Sequence, residues 1–262
     1  MTTDLRAILA SVIETTGRGT GNRPLIVVTV AIAAAQVEPD IAARKNALYA
    51  DSVARHGAEP IVLDATAPAQ ERAAAFATMD GLLLSGGADL HPAGHGQALA
   101  GSVGMEPDRD ALEAEAWSAA IARSVPVLGL CRGLQAINVF SGGTLLQHVE
   151  GHTGASWAHG PAATHPLRVE AGSALARSLA SDGPLVVNSY HHQGIRPEDL
   201  APGLVASAWA DSSAGPLVEG LEAADGRFLI GVQCHPERTE STPAAFERLF
   251  EAFVAACRED GA

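Results

Sequence analysis

Four short apolar runs, none alternating with polar residues, constrain this chain more than any other feature. They are Leu25-Ile26-Val27-Val28-Thr29-Val30, Pro60-Ile61-Val62-Leu63-Asp64, Gly81-Leu82-Leu83-Leu84 leading into Ser85-Gly86-Gly87, and Val125-Pro126-Val127-Leu128-Gly129-Leu130. A strand with one wet face alternates, whereas a strand covered on both faces does not. Between the runs lie helix-like segments, about Ala42 to His56, Ala69 to Ala77 and Asp108 to Arg123. Buried strands alternating with helices predict a mostly parallel sheet, doubly wound by right-handed crossovers with helices on both sides.

The second half changes character. Gly142 to Pro166, rich in Gly, His and Thr, reads as loop with short strands. Leu185–Asn188, Leu204–Ala208, Leu217–Leu221 and Phe228–Gln233 read as strands at short spacing, hence partly antiparallel, and Pro243 to Cys257 as a closing helix. Residues 1–22 end in Thr-Gly-Arg-Gly-Thr-Gly-Asn and read as a flexible extension. Residues 23–258 read as one domain, since no linker or repeat divides them.

Charge narrows the function. The 262 residues carry 17 basic against 30 acidic side chains, a formal charge of −13, with no Lys/Arg cluster. Such a surface repels phosphate backbones and anionic membranes, so nucleic acid and membrane are not expected partners. The longest apolar stretch, Leu25 to Ala35, falls short of the roughly 20 residues a span needs. Three cysteines, Cys131, Cys234 and Cys257, are no disulfide framework and fit a reducing compartment, so the expected location is the cytoplasm.

Cys131 stands in Gly129-Leu130-Cys131-Arg132-Gly133, where a buried strand gives way to a helix expected near Leu134. A residue in such a turn rises above the sheet edge between two glycines, and helix N-terminal N–H groups favour a thiolate there. The Arg132 N–H is placed to donate to an oxyanion. A buried structural cysteine fits the turn equally well. Gly231-Val232-Gln233-Cys234-His235-Pro236-Glu237 also follows a buried strand. If the two strands are neighbours, His235 emerges beside Cys131 as its base and Glu237 can orient the imidazole.

Six segments in order resemble the class I glutamine amidotransferase-type hydrolases, and among them the γ-glutamyl-γ-aminobutyrate hydrolase group of C26-type peptidases. The segments are Leu84–Pro92, Arg109–Glu113, Gly129–Val139, Gly142–Gln147, Asn188–Gln193 and Gly231–Glu237. The resemblance implies a flavodoxin-like three-layer α/β/α fold and a triad of Cys131, His235 and Glu237. It implies oxyanion donors at Gly87 and Arg132. It further implies a γ-glutamyl pocket lined by Gly86, Gln135, Asn188, Ser189, Tyr190 and His191. The implied reaction is hydrolysis of a small-molecule γ-glutamyl amide to glutamate and an amine, without cofactor or metal, by a chain whose superfamily suggests a homodimer. Two positions depart from the family pattern: Cys234 replaces an aromatic residue, and His95 stands where a tyrosine often precedes glycine.

Three other readings use the same residues. A glutaminase subunit feeding ammonia to a synthase would share fold and triad. A metal-binding protein would draw on His148, His152, His159, His165, His191 and His192, although His191 and His192 should diverge on a strand. A catalytically silent binding protein would keep only the scaffold. Glu113 and Glu115 read as residues of a solvated or partly buried helix. Arg109-Asp110 reads as either a helix-start pair near the site or a surface ion pair.

Overall fold

The computed structural model describes residues 23–150, 163–181 and 183–259. The expected N-terminal extension, His152 and His159 lie outside the described residues. One nine-stranded sheet runs in the order β2-β1-β3-β4-β9-β8-β7-β5-β6. Its parallel half comprises β1 (Leu25–Thr29), β2 (Glu59–Leu63), β3 (Gly81–Leu84), β4 (Val127–Leu130) and β9 (Leu229–Val232). The four apolar runs form the first four of these, and β3, β4 and β9 are buried throughout. The antiparallel half comprises β5 (Ala163–Val169), β6 (Pro184–Ser189), β7 (Leu204–Ser212) and β8 (Gly215–Ala223).

Helices cover both faces. On one face α1 (Pro39–Ala54), α5 (Ala174–Leu179) and α6 (Glu247–Glu259) pack through Tyr49, Val53, Leu175, Leu179, Phe250 and Phe253 against Ile26, Val28, Leu128 and Ile230. On the other, α2 (Ala69–Thr78), α3 (Pro107–Arg123) and α4 (Arg132–Phe140) pack through Phe76, Leu112, Ala116, Leu134 and Ile137 against Val27, Leu82 and Leu84. This is the three-layer α/β/α arrangement, and the order β2-β1-β3-β4-β9 repeats the flavodoxin-like strand order.

Several elements differ from the sequence reading. Within Gly142–Pro166 the structure starts a seven-residue strand, β5, that continues to Val169. Pro166 is tolerated because at that position β5 has β6 alone beside it, β7 joining only at Arg168 and Val169. The six-residue α5, capped by Ser173 Oγ, is too short to show a helical period. Helix α4 starts at Arg132, directly after Cys131, rather than near Leu134.

Candidate active site

Strands β4 and β9 are parallel neighbours, with Leu130 opposite Val232. Cys131 and Gln233 therefore leave the sheet side by side, and Gln233 Nε2 donates to Cys131 Sγ at 3.4 Å. Cys131 has φ 53° and ψ −105°, left-handed backbone that a side chain rarely adopts. The turn is locked by Cys131 N–H donating to Val232 O at 2.8 Å and by Leu134 N–H donating to Cys131 O at 3.1 Å. Gly133 is required for space: a Cβ there would stand 2.0 Å from Leu84 O, where α4 lies against β3.

His235 is buried. Its Nδ1 donates to Glu237 Oε1 at 2.7 Å, and it is hydrogen-bonded to Cys131 as well. Burial disfavours the imidazolium, yet the Cys131 and Glu237 charges and the hydrogen bonds to both outweigh it and raise His235 to about 10. Tyr49 Oη lies 3.5 Å from Nδ1, and burial, then the Glu237 and Cys131 charges, hold its hydroxyl well above its ordinary pKa. The Tyr190 ring stands perpendicular to the imidazole at 5.4 Å. A cavity of ≈ 390 Å³ opens over this edge, bordered by Gly86, Gly87, Cys131, Tyr190 and His235 and also by Glu38, Lys45 and Arg238.

Other residues expected at the pocket stand elsewhere. Asn188 is fully buried and committed to the loop carrying His235: its Oδ1 accepts from His235 N–H at 2.8 Å. Its Nδ2 donates at 3.0 Å to His235 O, Ser241 Oγ and Thr242 Oγ1. His191 turns to Gln193 O at 2.9 Å and Glu219 at 3.7 Å, while His192 faces Asp89 at 2.9 Å. Ser189 is buried, and of the four residues 188–191 only Tyr190 borders the cavity. Gln135 is buried and donates to Gln233 Oε1 at 3.1 Å, so it reaches Cys131 through Gln233, a contact the sequence reading did not foresee. Cys234 packs in the apolar core behind the edge.

Of the two alternatives, solvated or partly buried, the helix is partly buried: Glu113 is 0% exposed, and Arg109 beside it is 1% exposed rather than a surface residue. Glu115 is the exposed one, paired with Arg72 at 3.1 Å. The Arg132 side chain points away from the cavity onto Glu113 and Asp110. Among the described residues one group brings three metal-type donors within 4.8 Å of one another: His165, His191 and Glu219. Burial, then the Cys131 charge, pushes the Glu219 carboxyl well above its usual range. No helix among the described residues is long and apolar enough to cross a membrane.

A cysteine, a histidine and a glutamate at the carboxyl edge of this sheet mark a protein of the class I glutamine amidotransferase type. The family model for peptidase C26 matches residues 24–237. The chain belongs to the peptidase C26 family of glutamine amidotransferase-like hydrolases. It is 35% identical over 179 residues to the Mycobacterium tuberculosis protein named "Putative glutamine amidotransferase Rv2859c", covering 67% of this chain and 56% of that relative's length. It is 32% identical to the γ-glutamyl-γ-aminobutyrate hydrolase PuuD of Escherichia coli, with 77% of each chain covered. Among solved structures, the glutaminase domain of Trypanosoma brucei CTPS with bound acivicin superposes with a TM-score of 0.62 at 18% identity, covering 90% of this chain and 94% of that one. At that identity the likeness concerns the fold.

Proposed function

We propose that this chain hydrolyses the γ-glutamyl amide bond of a small γ-glutamyl amine, with Cys131 as nucleophile, His235 as acid and base, and Glu237 orienting His235. The observation that carries this reading is an imidazole held between a cysteine and a carboxylate, raised to about 10, at the wall of a cavity. Below that pH the ring holds the proton that a leaving amine requires. Cys131 thiolate adds to the γ-carbonyl, and the oxyanion is received by the N–H groups of Gly87 and Arg132. As the C–N bond breaks, His235 gives its proton to the amine, leaving a γ-glutamyl thioester. Neutral His235 then takes a proton from water, hydroxide adds to the thioester, and C–S cleavage releases glutamate and restores the thiolate and imidazolium.

The charged residues that line the cavity favour an amine that itself carries a carboxylate. Lys45 and Arg238 border it against the single carboxylate of Glu38. Arg238 is stacked over Tyr190 at 4.1 Å, which fixes its guanidinium at that wall. A leaving group such as γ-aminobutyrate presents a carboxylate to this pair, whereas a polyamine presents a cation. The activity in the name of the E. coli relative agrees with this choice. The test is glutamate release from γ-glutamyl amides whose amines are carboxylated, neutral or cationic, by wild type and Cys131→Ala. Wild-type hydrolysis retained in Cys131→Ala would sink the reading. Free glutamine turned over only alongside a second protein would favour an ammonia-donating subunit instead.

A further inference from the structure

Beneath the cavity lies a group of buried charges that the reaction above does not use. Arg109, on the first turn of α3, is 1% exposed and reaches the loop after β3. Its Nη2 donates to Ser85 O at 3.2 Å, Ser85 Oγ at 3.0 Å and Gly86 O at 3.0 Å. Its Nε donates to Glu113 Oε1 at 2.9 Å, and Thr29 Oγ1 donates to the same oxygen at 3.0 Å. The other Glu113 oxygen accepts from Arg132 Nη1, and Arg132 Nη2 pairs with Asp110. The fit beneath Gly87 is close, since a Cβ on that glycine would stand 2.1 Å from Arg109 Nη1.

Peptide geometry gives this contact a consequence. The described chain has no cis peptide bonds, and in a trans peptide the carbonyl of one residue and the N–H of the next point in opposite directions. Holding Gly86 O against Arg109 therefore turns the Gly87 N–H the other way, toward the side where Gly86, Gly87, Cys131 and His235 border the cavity. Glu113 links this anchor to Arg132, whose N–H opens α4 beside Cys131. A buried ion array contributes little net stability once its desolvation is counted, and an apolar cluster would fill the same space as well. Its forked, directional bonds suit geometry better than stability.

We propose that Arg109 and Glu113 are positioning residues for the oxyanion donors, Arg109 by aiming the Gly87 N–H and Glu113 by tying Arg109 to Arg132. The proposal rests on the hydrolase reading, and two comparisons separate them. Wild type against Cys131→Ala on γ-glutamyl-γ-aminobutyrate, followed by glutamate release, tests the reading. Arg109 and Glu113 variants against wild type test the positioning.

For each full-length variant, kcat and KM for that amide are measured beside the rate and pH profile of Cys131 alkylation by iodoacetamide. Alkylation is displacement at carbon and forms no oxyanion, so it reports the thiolate and His235 alone. Arg109→Lys keeps the charge but cannot serve both carbonyls and Glu113 from one point. It is expected to lose about 10²-fold in kcat, with KM and the alkylation profile within about threefold of wild type. Glu113→Gln should show the same split. If Glu113→Gln does not fold, Arg109→Lys alone decides, its fold checked by circular dichroism. Alkylation and hydrolysis falling together would mark a merely structural role and overturn the proposal, as would a kcat within threefold of wild type. A wild type that leaves the amide intact would overturn the hydrolase reading, and the positioning role with it.

Discussion

Gly86→Ala tests whether His235 is held as tightly as the site geometry requires. Gly86 is not among the positive-φ residues, so its backbone accepts alanine and the cost is one of space. The added Cβ would stand 2.7 Å from His235 Cε1 and 2.6 Å from Tyr49 Oη. Ordinary carbon contacts begin near 3.5 Å, so the imidazole must retreat by about 0.8 Å. It cannot do so freely, because Glu237 holds Nδ1 at 2.7 Å and Tyr190 stands on the ring at 5.4 Å. Displacing a reacting group by about 1 Å costs on the order of 10²-fold in rate, near 2.7 kcal/mol in the barrier. The overpacking itself should cost about 1–3 kcal/mol of stability. The assay pairs kcat for glutamate release with urea unfolding. Adding Tyr49→Phe removes the 2.6 Å contact and should return stability but not kcat, since the His235 contact remains. A Gly86→Ala enzyme within threefold of wild-type kcat would refute the reasoning.

Three further outcomes follow from the same geometry. If His235 must carry the proton that the leaving amine takes, the alkaline limb of kcat should lie near pH 10, where the ring loses it; an alkaline limb near pH 7 would contradict this. Lys45→Gln should raise KM about tenfold for a γ-glutamyl amide with a carboxylated leaving amine and leave a neutral one unchanged, a difference of about 1.4 kcal/mol; equal effects on both substrates would remove Lys45 from the leaving-group side. Asn188→Ala strands the buried His235 N–H, while Thr242 Oγ1 still serves the carbonyl, and should destabilise the fold by about 1–3 kcal/mol in urea while lowering kcat; a loss seen in KM alone would return Asn188 to the substrate.

The groups at the sheet edge were legible because each follows a buried strand. Unalternated runs gave β3, β4 and β9, and the residues directly after them are Ser85-Gly86-Gly87, Cys131 and Gln233 with His235 two further on. What holds those groups in place was not legible. Arg109 and Glu113 share a helix with Asp108, Asp110 and Glu115, and charges at helical spacing look the same in sequence whether they face water or an interior. Thr29 on β1, Arg132 on the next helix and the Ser85–Gly86 carbonyls make that face an interior. The hold of Asn188 on the His235 loop was not legible for a related reason: a polar residue beside a pocket motif suggests substrate, whereas its partners His235, Ser241 and Thr242 lie some fifty residues away in sequence and are unseen until the chain folds.

That division explains how the site tolerates strain at Cys131. A non-glycine residue with φ 53° costs of order 1–3 kcal/mol and persists only where its surroundings over-determine it. Here they do. Cys131 N–H is fixed to β9 through Val232 O, its carbonyl to α4 through Leu134 N–H, and Gly133 seats α4 directly on Leu84 at the end of β3. The turn that raises Cys131 is thus assembled from the ends of β3, β4 and β9 with α4 pressed against them. Its geometry belongs to the sheet rather than to a loop. Relaxing Cys131 alone would mean breaking its ladder bond to Val232 or lifting α4 from Leu84, and either would expose buried backbone whose cost is comparable to the strain released.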